Sequence, residues 1–108
     1  VLLAFQDSES GEKYLGGAHL VSLTEQTPRD TKKLRELIAG VRRQGYSVTH
    51  DTNAVGASGI AVPIVGHKGC IAALNLAAPT SRFDRILKKH IDLLIRSAAQ
   101  ISAEMRGP

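Results

Sequence analysis

The strongest constraint on the fold comes from two alternating apolar segments, residues 58–65 and 70–77, with only four residues between them. Those four residues are Gly66-His67-Lys68-Gly69, and glycines among polar residues are typical of a hairpin turn. We therefore predict that the two segments form a β-hairpin at the centre of the domain.

The alternation gives this hairpin two different faces, because side chains two residues apart in a strand lie on the same side of the sheet. Large aliphatic residues occupy one face: Ile60, Val62, Ile64, Leu74 and Leu76. The other, which we call the small face, carries small residues and one amide: Gly59, Ala61, Pro63, Ala73, Asn75 and Ala77. If the small residues of both strands point the same way, they leave space beside Asn75, which is the general form of a ligand pocket. The pattern is equally expected if a helix fills the space and Asn75 bonds to backbone.

Two amphipathic helices are predicted around the hairpin. Asp30 is a good N-cap, and an apolar stripe follows it until Gly45 ends the helix. Residues 46–49 then form a short strand. After the hairpin, Ser81 and Asp84 resemble a capping box, and we expect a long C-terminal helix across the sheet. Its apolar stripe packs on the core or forms a dimer seam: Leu87, Ile91, Leu94, Ala98, Ile101 and Met105.

The first thirty residues are less regular. Residues 1–5 look like the last turns of a helix, and the chain starts with Val1 and not Met, so we expect upstream sequence to be missing. Asp7 or Ser8 should cap a short helix through Tyr14 that Gly16-Gly17 ends, and residues 19–23 form a candidate strand. A chain of 108 residues with 43% hydrophobic residues is expected to form one domain, residues 1–108, with a single core.

Composition excludes several classes of protein. The net charge of +4 is carried mainly on two helices, interleaved with acidic residues and without base-stacking aromatics, so we expect solvated helix faces and no DNA binding by this chain itself. The longest apolar runs are far short of the about 20 residues that a membrane helix needs, and no signal peptide opens the chain. A single cysteine fits a reducing compartment. We expect a cytoplasmic protein without membrane contact.

Catalytic and metal-binding patterns are not found in the sequence. The four histidines are far apart, with no i, i+4 pair, and the lone Cys70 excludes a zinc site that needs two or more cysteines. Gly56-Ala57-Ser58-Gly59 lacks the spacing of a nucleophile elbow and opens a predicted strand. We therefore predict no catalytic residues, no metal and no cofactor, and a protein that is not an enzyme.

A set of short segments, in this order and with compatible gaps, resembles the C-terminal effector-binding domain of IclR-type transcriptional regulators. The segments cover essentially the whole chain: Leu2-Leu3-Ala4-Phe5, Leu34 through Val41-Arg42-Arg43-Gln44-Gly45-Tyr46, Gly56 with Ile60-Ala61-Val62-Pro63, Gly69 with Ala72-Ala73-Leu74-Asn75-Leu76, Pro79 with Arg82, and Ala98-Ala99-Gln100-Ile101-Ser102. The variants at residues 60–63 and 72–76 are most similar to the branch that governs aromatic-acid and β-ketoadipate metabolism.

The resemblance implies an α+β fold of GAF-like type, an antiparallel sheet flanked by helices and ending in a long C-terminal helix. It implies that the chain is the larger, C-terminal part of an effector-binding domain, without the N-terminal winged helix-turn-helix. Residues matching the family's pocket are Gly59, Ala61, Asn75 and Ala77, and its acidic loop matches Asp51. The family often has Cys or Ser at Gly59, Ser at Asn75 or Ala77, and two acids around Asp51, so the effector does not follow from any relative.

The function that the resemblance implies is sensing of a small organic effector, often a carboxylate or an aromatic catabolite. The partners implied are operator DNA, through the missing N-terminal domain only, and further copies in a homodimer or tetramer. A GAF-like sensory module of another signalling protein is the alternative function, and a small enzyme is a third.

Overall fold

The computed structural model describes residues 1–17 and 20–107, apart from the side chain of Ser8. The helices and strands follow in the order α1 (Ser8–Gly16), α2 (Thr31–Gln44), β1 (Ser47–His50), β2 (Ala57–Gly66), β3 (Gly69–Pro79) and α3 (Thr80–Arg106). The predicted α+β class is confirmed. None of the helices in the described ranges is long and apolar enough to span a bilayer.

The sheet is antiparallel with the strand order β1-β2-β3. The predicted hairpin is confirmed, since Gly66 pairs with Gly69 and the strands on either side are in continuous register except for an irregularity between Ile64 and Val65. Gly69 has φ +117, a backbone conformation that residues other than glycine rarely adopt, so this turn requires glycine.

Helix α3 covers the bulky face of the hairpin and forms the core with it. The buried cluster contains Ile60, Val62, Phe83, Leu94 and Ala98, and Leu87 and Ile91 of the predicted stripe pack against it. Met105 does not pack on the core, because its side chain is 58% exposed, and the alternative that it belongs to a dimer seam stays a prediction. Ser102 lies one helical turn before Met105, and its Oγ accepts a hydrogen bond from the Val65 N–H at 2.9 Å. Because Val65 is followed by the last residue of β2, Gly66, Met105 lies beyond the end of the strand.

The predicted capping box at Ser81 and Asp84 was also wrong. Helix α3 begins at Thr80, directly after Pro79, and has no side-chain cap. The start is held by bonds across the chain: the Thr80 hydroxyl donates to Asp51 Oδ1 at 2.6 Å and lies 2.8 Å from Ser58 Oγ. Contacts distant in sequence therefore set this boundary.

The N-terminal region departs from expectation in two places. Residues 1–5 form turns, with a bond from Phe5 N–H to the Val1 carbonyl, and not an α-helix. Residues 20–23 form no strand, and His19 lies outside the described residues. Local bonds use that backbone instead, since Ser22 Oγ donates to the Thr24 carbonyl and Leu23 N–H donates to Thr27 Oγ1. Helix α1 is capped by Asp7 as predicted.

Helix α2 has the predicted limits. Asp30 Oδ1 accepts the Lys33 N–H at 2.7 Å, and Gly45, with φ +89, ends the helix. Its apolar stripe, however, contains no buried residue, and Leu37 is 46% exposed. The stripe therefore faces a space that the described residues do not fill.

Candidate functional site

The small face is continuous across all three strands. Ala61 lies opposite Asn75 on one side and Ser47 on the other, and Gly59 lies between Ala77 and Thr49. Residues paired in this way point to the same side of the sheet. The predicted coincidence of the two small faces is thus confirmed, and the face is turned away from α3, which packs against Ile60.

An amide and a hydroxyl converge at the centre of this face. A Cβ atom placed on Gly59 would lie 3.4 Å from Asn75 Oδ1 and 3.5 Å from Thr49 Oγ1. Glycine therefore keeps open a gap that both polar groups border. In the part of the chain that the structure describes, no hydrogen bond occupies the Asn75 side chain, so it can accept from and donate to a ligand.

The placement of Thr49 was missed by sequence reasoning. Its position on the small face depends on the register of β1 against β2, where Thr49 pairs with Gly59. A four-residue strand with mixed residues does not carry that register in its sequence pattern. Strand register, and not composition, brings this hydroxyl to the site.

Solvent exposure differs between the residues of the small face. Asn75 and Ala77 are exposed, whereas Gly59 and Ala61 are half-buried. The alternative in which a helix fills the space over Asn75 is therefore not seen among the described residues. Asn75, Gly59, Ala61 and Ala77 are brought together as predicted, and their role toward an effector stays a prediction.

A cavity of about 510 Å³ lies between α2 and β1, and we call it the α2 cavity. Its apolar lining consists largely of the unburied stripe of α2, with contributions from β1 and from the chain before α2: Leu34, Leu37, Ile38, Val41, Val48, Val1, Ala4 and Pro28. Its polar lining residues are Gln26, Lys33, Ser47, Thr49, His50 and Thr52. Thr49 belongs both to this lining and to the small face. The volume falls in the range of roughly 300–1,000 Å³ that is usual for small-molecule sites.

Asp51 is placed differently from the other predicted site residues. It follows β1 with φ +55, and its carboxylate accepts hydrogen bonds from Thr80 Oγ1 at 2.6 Å and from Gly56 N–H at 2.8 Å. These bonds stabilise the charged form and hold the pKa of Asp51 below its ordinary value. The carboxylate thus fixes the loop between β1 and β2 to the start of α3. Its proposed contact with an effector stays a prediction.

The loop that precedes α2 is joined to the same place. Thr24 Oγ1 donates to the Asp51 carbonyl at 2.5 Å, and Thr27 Oγ1 donates to the Thr52 carbonyl. Next to them, His50 Nε2 lies 3.5 Å from Asp84 Oδ1, and its ring packs edge-on against Phe83. One side of the α2 cavity is therefore bonded to the first turn of α3.

The site offers an amide, hydroxyls, two basic side chains and an apolar wall. In residues 1–17 and 20–107, no three His, Cys, Asp or Glu side chains come close enough to hold a metal ion. An amide, hydroxyls and an open apolar cavity can bind and orient a small organic molecule.

Comparison with known proteins agrees with this arrangement. Residues 1–103 match the family model described as bacterial transcriptional regulator IclR, C-terminal. The chain is 29% identical over 102 residues to the Pca operon regulatory protein of Acinetobacter baylyi, an alignment that covers 93% of this chain and 37% of that protein.

Two solved structures have the same fold. The C-terminal domain of the E. coli regulator KdgR gives a TM-score of 0.89 and 34% identity over 97% of this chain and 65% of that one. An IclR homologue from Microbacterium hydrocarbonoxydans, solved with 4-hydroxybenzoate, gives a TM-score of 0.84 and 30% identity over 99% of this chain and 43% of that one.

The chain therefore belongs to the IclR C-terminal family, the effector-binding domains of IclR-type transcriptional regulators. The predicted resemblance is confirmed, and the relatives are regulators, not enzymes. The chain spans well under half the length of the Pca operon regulatory protein.

Proposed function

We propose that this chain senses a small organic acid at the α2 cavity and the small face, and that binding changes the DNA affinity of an attached N-terminal winged helix-turn-helix. The observation that carries the proposal is the convergence of Asn75 and Thr49 on Gly59, beside a cavity of about 510 Å³, in a chain of this family. Binding that favours one arrangement of the whole protein would couple the two sites.

The relatives and the site support one class of effector. One relative is a Pca operon regulator and another was solved with 4-hydroxybenzoate, which supports an aromatic carboxylate or a related catabolite. The apolar wall of the α2 cavity would pack on a ring, and the Thr49 hydroxyl and Asn75 amide would bond its polar substituent.

The remaining properties are part of the same proposal. The chain is one domain, the larger part of an effector-binding domain, and acts without catalysis and without a metal or cofactor. Operator DNA is bound by the N-terminal domain alone, and the protein is a cytoplasmic homodimer or tetramer. The family match favours this regulator over a sensory module of a different signalling protein.

Asn75→Leu in the intact protein that carries this chain tests the proposal. Leucine suits a strand but removes the amide and fills the gap, so the dissociation constant for 4-hydroxybenzoate should rise about 5- to 150-fold, corresponding to roughly 1–3 kcal/mol. Titration calorimetry measures it.

Asn53→Leu is the matched control. Asn53 is the only other asparagine and is exposed in the loop after β1, so its substitution should leave the dissociation constant unchanged. Unchanged binding of 4-hydroxybenzoate to a folded Asn75→Leu variant would contradict the assignment.

A further inference from the structure

We propose that Lys33 binds the carboxylate of the effector and makes the α2 cavity selective for anions over neutral molecules of the same shape. This inference rests on the proposed function and adds the residue that recognises charge. The sequence pattern singled out no residue for this role, because Lys33 looks there like one of several solvated helix cations.

The charge of the cavity lining is one-sided. Among the described residues, Lys33 and His50 are the lining residues with a basic side chain, and no aspartate or glutamate lines the cavity. An anion that enters the cavity therefore meets basic side chains and no carboxylate on its walls, and the acidic residues near Lys33, Asp30 and Glu25, line a separate depression.

His50 is already engaged elsewhere. Its Nε2 atom lies 3.5 Å from Asp84 Oδ1, and the ring packs edge-on against Phe83 at 5.0 Å between centroids. Lys33 takes part in no salt bridge within the described ranges, which leaves its ammonium group available for a ligand.

The position of Lys33 strengthens this attraction. It is the third residue of α2 and lies at the positive end of the helix dipole, with its own backbone N–H paired to the Asp30 carboxylate. Asp30 uses its carboxylate to accept the Lys33 backbone N–H and does not line the cavity.

Thr49 borders both the cavity and the small face, and this defines the ligand class. A ligand held at Lys33 by its carboxylate would meet Thr49, which lines the same cavity, with a polar group further along the molecule. The chemical class is therefore a carboxylate with a second hydrogen-bonding substituent across an apolar body.

The test compares carboxylates with their primary amides, which keep the shape and lose the charge. Benzoate beside benzamide, 4-hydroxybenzoate beside 4-hydroxybenzamide, and adipate beside its neutral diamide are titrated calorimetrically into the intact protein. The unmodified protein should bind at least one acid about tenfold or more tighter than its amide. Lys33→Met should abolish this preference and bring acid and amide within about threefold, while methionine keeps the helix propensity.

Lys32→Met is the matched control. Lys32 is the neighbouring, exposed lysine of the same helical turn and does not line the cavity, so its variant should keep the full preference for the acid.

A preference of tenfold or more in the Lys33→Met variant would overturn the inference, as would equal binding of acid and amide by the unmodified protein. In either case the proposed function survives if Asn75→Leu still weakens both members of a pair. If none of the probes binds the unmodified protein, the inference and the proposed function both fail.

Discussion

Replacing Gly59 with alanine tests the gap between Asn75 and Thr49 most directly. Gly59 has no positive φ, so alanine is not strained there, and its Cβ would lie 3.4 Å from Asn75 Oδ1 and from the Leu76 carbonyl. These are ordinary van der Waals distances. Because alanine loses less backbone freedom than glycine on folding, the free energy of unfolding should be unchanged or higher by up to about 1 kcal/mol.

The effect on the effector should be the opposite. The added methyl group occupies the gap and separates the ligand from the amide and the hydroxyl that border Gly59. Losing one such hydrogen bond in a closed site costs about 1–3 kcal/mol, or about 5- to 150-fold in the dissociation constant. Calorimetric titration with 4-hydroxybenzoate and urea unfolding of the same intact protein measure the two quantities.

Gly66→Ala is the matched control in the same strand. It lies about 23 Å from Gly59 along β2, at a rise of roughly 3.3 Å per residue. Its Cβ would approach Ile71 Cγ2 to 3.1 Å, so it should lower stability by up to about 1 kcal/mol and leave effector affinity unchanged. A Gly59→Ala protein with normal stability and a dissociation constant within twofold of the original would refute the proposed position of the ligand.

Four further outcomes are expected. Gly40→Ala should raise the free energy of unfolding by about 0.5–1 kcal/mol in urea unfolding, since its Cβ would meet only Arg43 at 3.8 Å in the interior of α2. Ser102→Ala should lower it by about 1 kcal/mol, because the Val65 N–H loses its acceptor. The carboxylate of Asp51 has a lower pKa in the folded than in the unfolded state. The stability that this difference contributes is complete above the ordinary pKa of 3.8 and is lost as the pH falls through the folded-state pKa. Asp51→Asn should therefore show a flatter dependence of stability on pH in acid unfolding curves. The chain alone should show no sequence-specific DNA binding in a gel-shift assay at physiological salt, and nanomolar specific binding would contradict the proposed division of roles.

Much of the fold could be predicted because the deciding interactions are local. Gly69 in the hairpin turn, Asp30 at the start of α2 and Gly45 at its end act within a few residues of themselves, and the structure has each where the pattern placed it. Alternation with period two likewise placed Asn75 and Gly59 on one face once the hairpin was recognised.

The parts that could not be predicted depend on contacts between distant residues. The start of α3 is set by Asp51 and Thr80, which are 29 positions apart, so a local capping pattern at Ser81 misled the prediction. Thr49 reaches the site through the pairing of two strands, and no property of its own neighbours shows this. The stripe of α2 predicted a buried face, but periodicity does not say what covers it, and the α2 cavity lies there.

Thr52 lines the α2 cavity and its neighbour Asp51 bonds Thr80, so a displacement at the cavity would act on the first turn of α3. With 27 residues at about 1.5 Å per residue, the helix is roughly 40 Å long, and its pivot lies where Asp51 contacts its first turn. A rotation of about 5° at that pivot displaces the opposite end by roughly 3.5 Å, which is more than half of one helical turn. Because Ser102 and Arg106 both bond Val65 near the end of β2, such a rotation would carry the hairpin along with the helix.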